Sequence, residues 1–379
     1  MSELVLTNAR VVTEDAVIDG TVCVREGRIS DISEGRSAGP AVDLGGDYLL
    51  PGFVELHTDN LEKHFSPRPG VEWPVIAAVV AHDAQVAAAG ITTVFDAVAL
   101  GDLLGVTARL RNLQKMVAAI RNALSSDALR AEHLLHLRCE VSDPHCAATF
   151  SALASDPLVR LVSVMDHTPG QRQFVKVEKY KLYYQKKYGL TDDEFAELVR
   201  RQTAQQKLHA EPNRRNVVAE AKGRGLALAS HDDATEAHVA EAVDDGMTIA
   251  EFPTTLDAAR AAQRHGMAIL VGGPNIVLGG SHSGNIAAAD LAAQKLVQVV
   301  SSDYVPASMV QAPFVLAKGN IGIDLPGAVK LVSANPARAV GLADRGAIKQ
   351  GLRADLVRVR EVDGFPIVRT VWREGQRIV

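Results

Sequence analysis

His57, Thr58 and Asp59 close an apolar run in LLPGFVELHTDNLEKHFSPRPGVEW, residues 49–73. In an extended segment alternate side chains share a face, so His57 and Asp59 point one way and Thr58 the other. An imidazole and a carboxylate so placed can grip one divalent cation. Glu140, His167, His231 and Asp303 each follow an apolar run in the same manner. Imidazole and carboxylate ligands suit zinc, manganese and iron alike, so these residue types predict a metal centre without choosing the metal.

Such residues need rigid elements behind them. Pro51 and Gly52 start a strand whose buried body is Phe53, Val54 and Leu56, with the polar residues at its C-terminal end. That is the end at which parallel α/β barrels build active sites. Strand candidates of this kind are YLLPGFVELH, ITTVFDAV, HLLHLRCEV, LVRLVSVMDH, GLALASHDD, GMTIAEF, GMAILVGG and LVQVVSSD. Eight strands close a (β/α)8 barrel. Segments 75–89, 105–124, 234–244 and 287–296 carry Ala, Leu and Val at helical spacing and supply the crossovers. Residues 1–49 and 345–379 share a texture of short strands and glycine turns. The expected fold is therefore α/β, a TIM-like barrel over 50–344 with a small β-sandwich built from both chain ends.

The chain has 379 residues, 47% of them hydrophobic, enough for a large barrel and an accessory domain. No apolar run reaches the length of a membrane span and no secretory leader is evident, so a soluble cytoplasmic protein is expected. Cys23, Cys139 and Cys146 lack zinc-finger or disulfide spacing. A net charge of −5 gives no reason to expect nucleic acid as a partner. A homo-oligomer is compatible with the composition. Residues 168–215 depart from the average, with 11 basic against 6 acidic residues, and break the βα rhythm. They are expected to form a basic helical insert that favours an anionic substrate; the plainer reading is a solvated helix pair.

A histidine-bearing pair after strand one, a carboxylate midway, two later histidines and an aspartate after strand eight resemble the amidohydrolase superfamily, whose fold is a distorted barrel with a β-sandwich from both chain ends. GAIKQGLRADLVRV (346–359) is similar to its C-terminal signature. One departure is His57-Thr58-Asp59 in place of the usual His-x-His. With that departure, HTDNLEKHFSPRPGVEWP, MDHTPGQRQF (165–174), ASHDD (229–233), GGPNIVLGGSHSGN (272–285) and SSDYVP (301–306) resemble one branch, the diphosphatases of the carbon–phosphorus lyase pathway of phosphonate use.

That resemblance implies hydrolysis of α-D-ribose 1-methylphosphonate 5-triphosphate to the 5-phosphate and pyrophosphate, with two divalent cations. It implies that His57 and Asp59 bind the first cation, Glu140 bridges, His167 and His231 bind the second, and Asp303 holds and deprotonates the water. The superfamily usually places the later histidines after strands five and six. Here the count puts His167 after the fourth and His231 after the fifth, so either a strand is miscounted or only one is a ligand, with Asp166 and Asp232 as substitutes or orienters. Lys63, His64 and Arg68 follow the metal strand and could meet a triphosphate, as could Lys176, Lys179 and Tyr180 in the basic segment. Asn275, His282, Ser283 and Asn285 sit in glycine-rich loops as further donors. The rival readings are an amidohydrolase acting on an anionic, N-acyl or cyclic amide, and a non-catalytic barrel subunit.

Overall fold

The computed structural model describes residues 3–68, 70–101, 108–172, 181, 190–281, 285–319 and 321–379. Its centre is an eight-stranded sheet of parallel strands: β6 (Phe53–Thr58), β7 (Ile91–Leu100), β8 (Glu132–Glu140), β9 (Val159–Met165), β10 (Ala227–His231), β11 (Ile249–Glu251), β12 (Ala268–Gly272) and β13 (Val299–Ser301). They are paired in sequence order, as the eight expected segments require. Both faces of these strands are covered, so β7 is buried at all ten positions and β6 at all six. One cluster fills the interior, with Val54, Phe95, Leu134, Leu161, Ala229, Ile249, Leu270 and Val299 contributing from the eight strands in turn.

The barrel closes at a narrow seam between β6 and β13. A single bridge, Thr58 to Asp303, joins them, with backbone hydrogen bonds from Asp303 to His57 and from Asp59 to Asp303, both 3.0 Å. Inside the seam the fully buried Glu55 carboxylate accepts from the His57 amide at 2.7 Å, the Ser302 amide at 2.6 Å and the Ser301 hydroxyl. These contacts replace the ladder that neighbouring strands elsewhere supply.

The two chain ends form a second, mixed sheet. It comprises β1 (Glu3–Val12), β2 (Val17–Arg25), β3 (Arg28–Glu34), β4 (Val42–Asp43), β5 (Tyr48–Pro51), β14 (Leu356–Val362), β15 (Phe365–Arg373) and β16 (Gln376–Arg377). Its buried face, including Leu6, Val22, Ile29, Leu49, Leu356 and Trp372, makes a separate small core. The β2–β3 turn meets the segment before β14, where Ala354 donates to Gly27 at 2.8 Å, so the sheet curls on itself. The chain crosses to the barrel at Gly52. A Cβ there would lie 2.4 Å from Thr92 Oγ1 and 2.8 Å from Asp355 Cβ, which explains the glycine.

Two helices follow β6 and frame the site, α1 (Asn60–Phe65) and α2 (Val75–Ala88). Of the basic segment expected as an insert, residues 168–172, 181 and 190–215 are described. Residues Asp192–Gly223 are one helix of 32 residues, opened by a capping box between Thr191 and Glu194. Its Val217, Val218 and Ala221 belong to the main core, so its C-terminal part serves as an ordinary barrel helix. Several of its cations are paired: Arg214 with Glu241 and Asp245, Arg200 with Glu197, Arg215 with Glu211. Among the described residues no helix is long and apolar enough to cross a membrane.

Candidate metal centre

The strand ends bring two sets of donors together. His57, Asp59 and Asp303 converge with one ligand atom each, all within 4.8 Å of one another, and so do His167, His231 and Asp232. His57 lies near the end of β6, but Asp59 is not extended; at φ −88° and ψ 9° it precedes α1, so a turn rather than strand alternation places its carboxylate. Asp232 and Asp303 hold left-handed backbone, φ 56° and 54°, directly after β10 and near β13. That conformation costs a non-glycine residue energy, and it recurs where side chains are aimed at a site. His167 follows the fourth barrel strand and His231 ends the fifth, so the sequence count stands, and both point at Asp232, Nε2 to Oδ2 at 3.6 and 3.5 Å.

Glu251, at the end of β11, is not among the candidates read from sequence, yet it ties the two sets. His57 Nδ1 donates to its Oε1 and His231 Nδ1 to its Oε2, each at 3.1 Å. Because both Nδ1 atoms are occupied, both rings are left with Nε2 for a ligand, the usual way a supporting carboxylate fixes a tautomer. The two imidazoles stack at 5.7 Å and Phe252 abuts both edge-on. The signal is present in the sequence as an acid next to last in the apolar run GMTIAEF. His136, buried below them, bonds to Leu56 O and Ser163 Oγ, and burial drives its pKa down to about 3, so it is neutral.

Glu140 lies outside both sets of three. Its carboxylate accepts from His167 Nδ1 at 2.7 Å and from Ser142 Oγ at 2.7 Å. Burial alone would lower the His167 pKa, but Glu140 and then Asp232 outweigh it and push it up to about 9. Burial likewise opposes a rise at His57, where Glu251 prevails. Two carboxylate-rich pockets that draw protons onto imidazoles in this way are suited to binding cations in place of those protons. The donor sets therefore fit divalent metal, with nitrogen and oxygen ligands from rigid strand ends.

Two cations of the protein face the same centre. Arg138, on β8, donates from Nη1 to Asp59 Oδ1 at 2.6 Å, and its charge is felt at His57, His136 and Asp232. Lys63, on α1, reaches the Tyr304 carbonyl, with its ammonium 5.1 Å from the Tyr304 ring centre. Asp303 and Asp59 are its neighbouring charges. His64 turns aside to Gln85 Oε1 at 2.8 Å, and Arg68 is exposed in a turn bridged to Val71. Asn275 lies not in a loop but in the short helix Gly273–Leu278, where its side chain accepts from Ala288 N at 3.0 Å, and Asn285 is half-buried. Lys176, Lys179, Tyr180, His282 and Ser283 lie outside the described residues.

A parallel barrel with acid–histidine donor sets at its C-terminal end defines a metal-dependent hydrolase. The amidohydrolase family pattern matches residues 48–378, and the chain belongs to that family. It is 49% identical over 377 residues to the alpha-D-ribose 1-methylphosphonate 5-triphosphate diphosphatase of Escherichia coli (strain K12), covering 99% of this chain and 100% of that protein. An L-hydantoinase of Paenarthrobacter aurescens is 27% identical over 73 residues, 18% of this chain and 16% of the hydantoinase. Among solved structures, a mutant of the N-acetyl-D-glucosamine-6-phosphate deacetylase of Mycobacterium smegmatis superposes with a TM-score of 0.65 at 17% identity, covering 100% of each chain. A Xaa-Pro dipeptidase superposes at 0.66 with 14% identity over 99% of each chain. At those identities the likeness is one of fold.

Proposed function

We propose that this protein hydrolyses α-D-ribose 1-methylphosphonate 5-triphosphate to the 5-phosphate and pyrophosphate, as a cytoplasmic enzyme of phosphonate breakdown. The observation that carries the reading is the 49% identity to the diphosphatase across essentially the whole chain. The site supports it, because a triphosphate needs cations and this mouth has Lys63 and Arg138 beside two metal-competent donor sets.

Two divalent cations fit the reading, one on His57, Asp59 and Asp303, one on His167, His231 and Asp232. When bound, such ions lower the pKa of water and neutralise charge on the transferring phosphoryl group. The chain's own residues do the rest. Asp303 orients the water and takes its proton as the water oxygen bonds to phosphorus and the anhydride bond to pyrophosphate breaks. Lys63 holds the polyphosphate as a point charge, while Arg138 keeps Asp59 aimed and offers its guanidinium to a phosphate oxygen. Glu251 and Glu140 keep the imidazoles in register.

The test is to incubate metal-loaded protein with the ribosyl triphosphate and with anionic and cyclic amides. Pyrophosphate release is expected, and Asp303→Asn should cut it about 10²–10⁴-fold with the fold retained. Amide turnover without pyrophosphate release would replace the reading by the amidohydrolase alternative.

A further inference from the structure

A second constellation of ionisable side chains lies beneath α1, away from the metal donors. Asn60, His82, Asp83, Asp96 and His133 are all at most 2% exposed. Asp96 sits at the middle, with His82 Nε2 2.7 Å from one oxygen and His133 Nδ1 2.7 Å from the other. His133 Nε2 lies 3.3 Å from Asp83, which also accepts from Arg130 at 3.0 Å and from the Ala131 amide at 2.9 Å. At the other end His82 Nδ1 is 3.0 Å from Asn60 Nδ2, and that amide also donates to Gln85 Oε1 at 2.9 Å.

Polarity along this chain follows from Asp96. An ionised carboxylate only accepts, so both facing ring nitrogens carry protons. His133 faces a second carboxylate through Nε2 and is therefore an imidazolium, in agreement with a pKa that the two aspartates, against burial, push up to about 9. His82 has only Asn60 at Nδ1, and burial lowers its pKa, so it is neutral, protonated at Nε2 and accepting at Nδ1. Asn60 must then present its NH₂ rather than its carbonyl. The oxygens and ring nitrogens of His82, Asp96 and His133 lie close enough to hold a metal. However, every ring nitrogen already has a hydrogen-bond partner and the charges balance without one.

Asn60 is the first residue of α1, next to Asp59 and one turn before Lys63. The end of the relay is thus the anchor of the helix that carries a cation to the site mouth. We propose that Asp83, His133, Asp96 and His82 form a positioning relay that fixes the amide of Asn60, and through α1 the placement of Lys63, so that it governs substrate phosphate affinity. The assignment of a phosphorylated substrate rests on the function proposed above; the relay itself rests on the hydrogen bonds.

Asp96→Leu removes both acceptors, so nothing holds the proton of His82 on Nε2. His82 should then shift to the Nδ1–H tautomer, which opposes the Asn60 NH₂. Asn60→Leu removes the same anchor without altering buried charge, in case the first variant folds poorly. In both, KM for the triphosphate is expected to rise about tenfold, the order of losing a contact to a charged group. The value of kcat should stay within about threefold, and metal content per chain should be unchanged. Nitrogen-15 spectra of the imidazoles should show the His82 tautomer exchanged in Asp96→Leu. Acetylation of Lys63 by acetic anhydride, read by mass spectrometry, should change at least about threefold in both variants. Unchanged KM and Lys63 labelling would overturn the relay, and so would loss of a bound cation in Asp96→Leu, which would make the cluster a metal site. If the wild type leaves the triphosphate intact, the substrate reading fails, while the tautomer and labelling results still decide the relay.

Discussion

Glu251 holds two imidazoles from different strands with its two oxygens, and a glutamine in its place has one acceptor for two N–H donors. Either His57 or His231 then loses the partner that fixes its tautomer. Glu251→Gln is expected to weaken retention of metal about 10–100-fold, measured by chelator competition on purified protein; unchanged retention would remove Glu251 from the site. At the same scale His133 makes stability depend on pH. Its folded pKa is raised from 6.5 to about 9, so its contribution is complete below about pH 6.5 and lost as pH rises through 9. The size is about 3 kcal/mol at most. Thermal denaturation at constant metal should show Tm falling from pH 6.5 to 9, and His133→Gln should flatten that slope. His57, Asp59, His167, His231 and Asp303 could be picked out one by one, because each lies at or just beyond the end of an apolar run, and the structure gathers them into the two donor sets. Asp232 could be named only as an alternative, and its partnership with both histidines depends on a left-handed backbone turn that residue types do not announce.

Strand β6 shows how an element delivers these residues. Its apolar residues and its place as first barrel strand follow from sequence, but its partner β13 is only three residues long, and the pair shares one bridge. An acid in the middle of FVELHT reads as an error in a buried strand. In the fold it is the clip that joins His57 to Ser301 and Ser302 where the ladder fails. Burial raises the Glu55 pKa while the hydroxyl and amide donors around it act the other way. Glu55→Leu would leave the buried Ser302 amide without its acceptor, at about 1–3 kcal/mol, while the His57 amide keeps only Ser301 Oγ at 2.9 Å. On the proposed two-cation site, the expected outcome is a lower unfolding midpoint and weaker cation binding at the set His57, Asp59 and Asp303, with binding at the set His167, His231 and Asp232 retained. Metal titration followed by calorimetry distinguishes this from a uniform loss of both. The basic segment teaches the opposite lesson. Its charge excess was real, but composition could not show that Arg172 and Arg214 pair with acids of neighbouring elements.

Across the whole molecule the metal donors sit at one end of the barrel and the terminal sheet grips the other. Glu132, the first residue of β8, accepts from both Arg345 and Arg353, while Glu140, the last, supports His167. Arg353 also meets Asp355 at 2.7 Å, and Arg345 reaches Thr93 at 2.9 Å, so this cluster joins the segment around 345–355 to two barrel strands. The division of the chain into a two-ended sheet and a barrel was readable from glycine-punctuated strands at both termini. These cross-links were not, since Glu132 and its two arginines are more than 200 positions apart. Arg353 is buried and its partners Asp355 and Glu132 would be left without it, Asp355 almost fully buried and Glu132 about a third exposed. Removing one member of such a pair is costly because the remaining charge stays buried, though water at Glu132 reduces the effect. Arg353→Met is therefore expected to lower unfolding free energy by about 2–3 kcal/mol while metal content and KM stay at wild-type values. Denaturant titration alongside steady-state kinetics checks it, and a KM change comparable to that of the relay variants would mean that the two ends of the barrel are coupled.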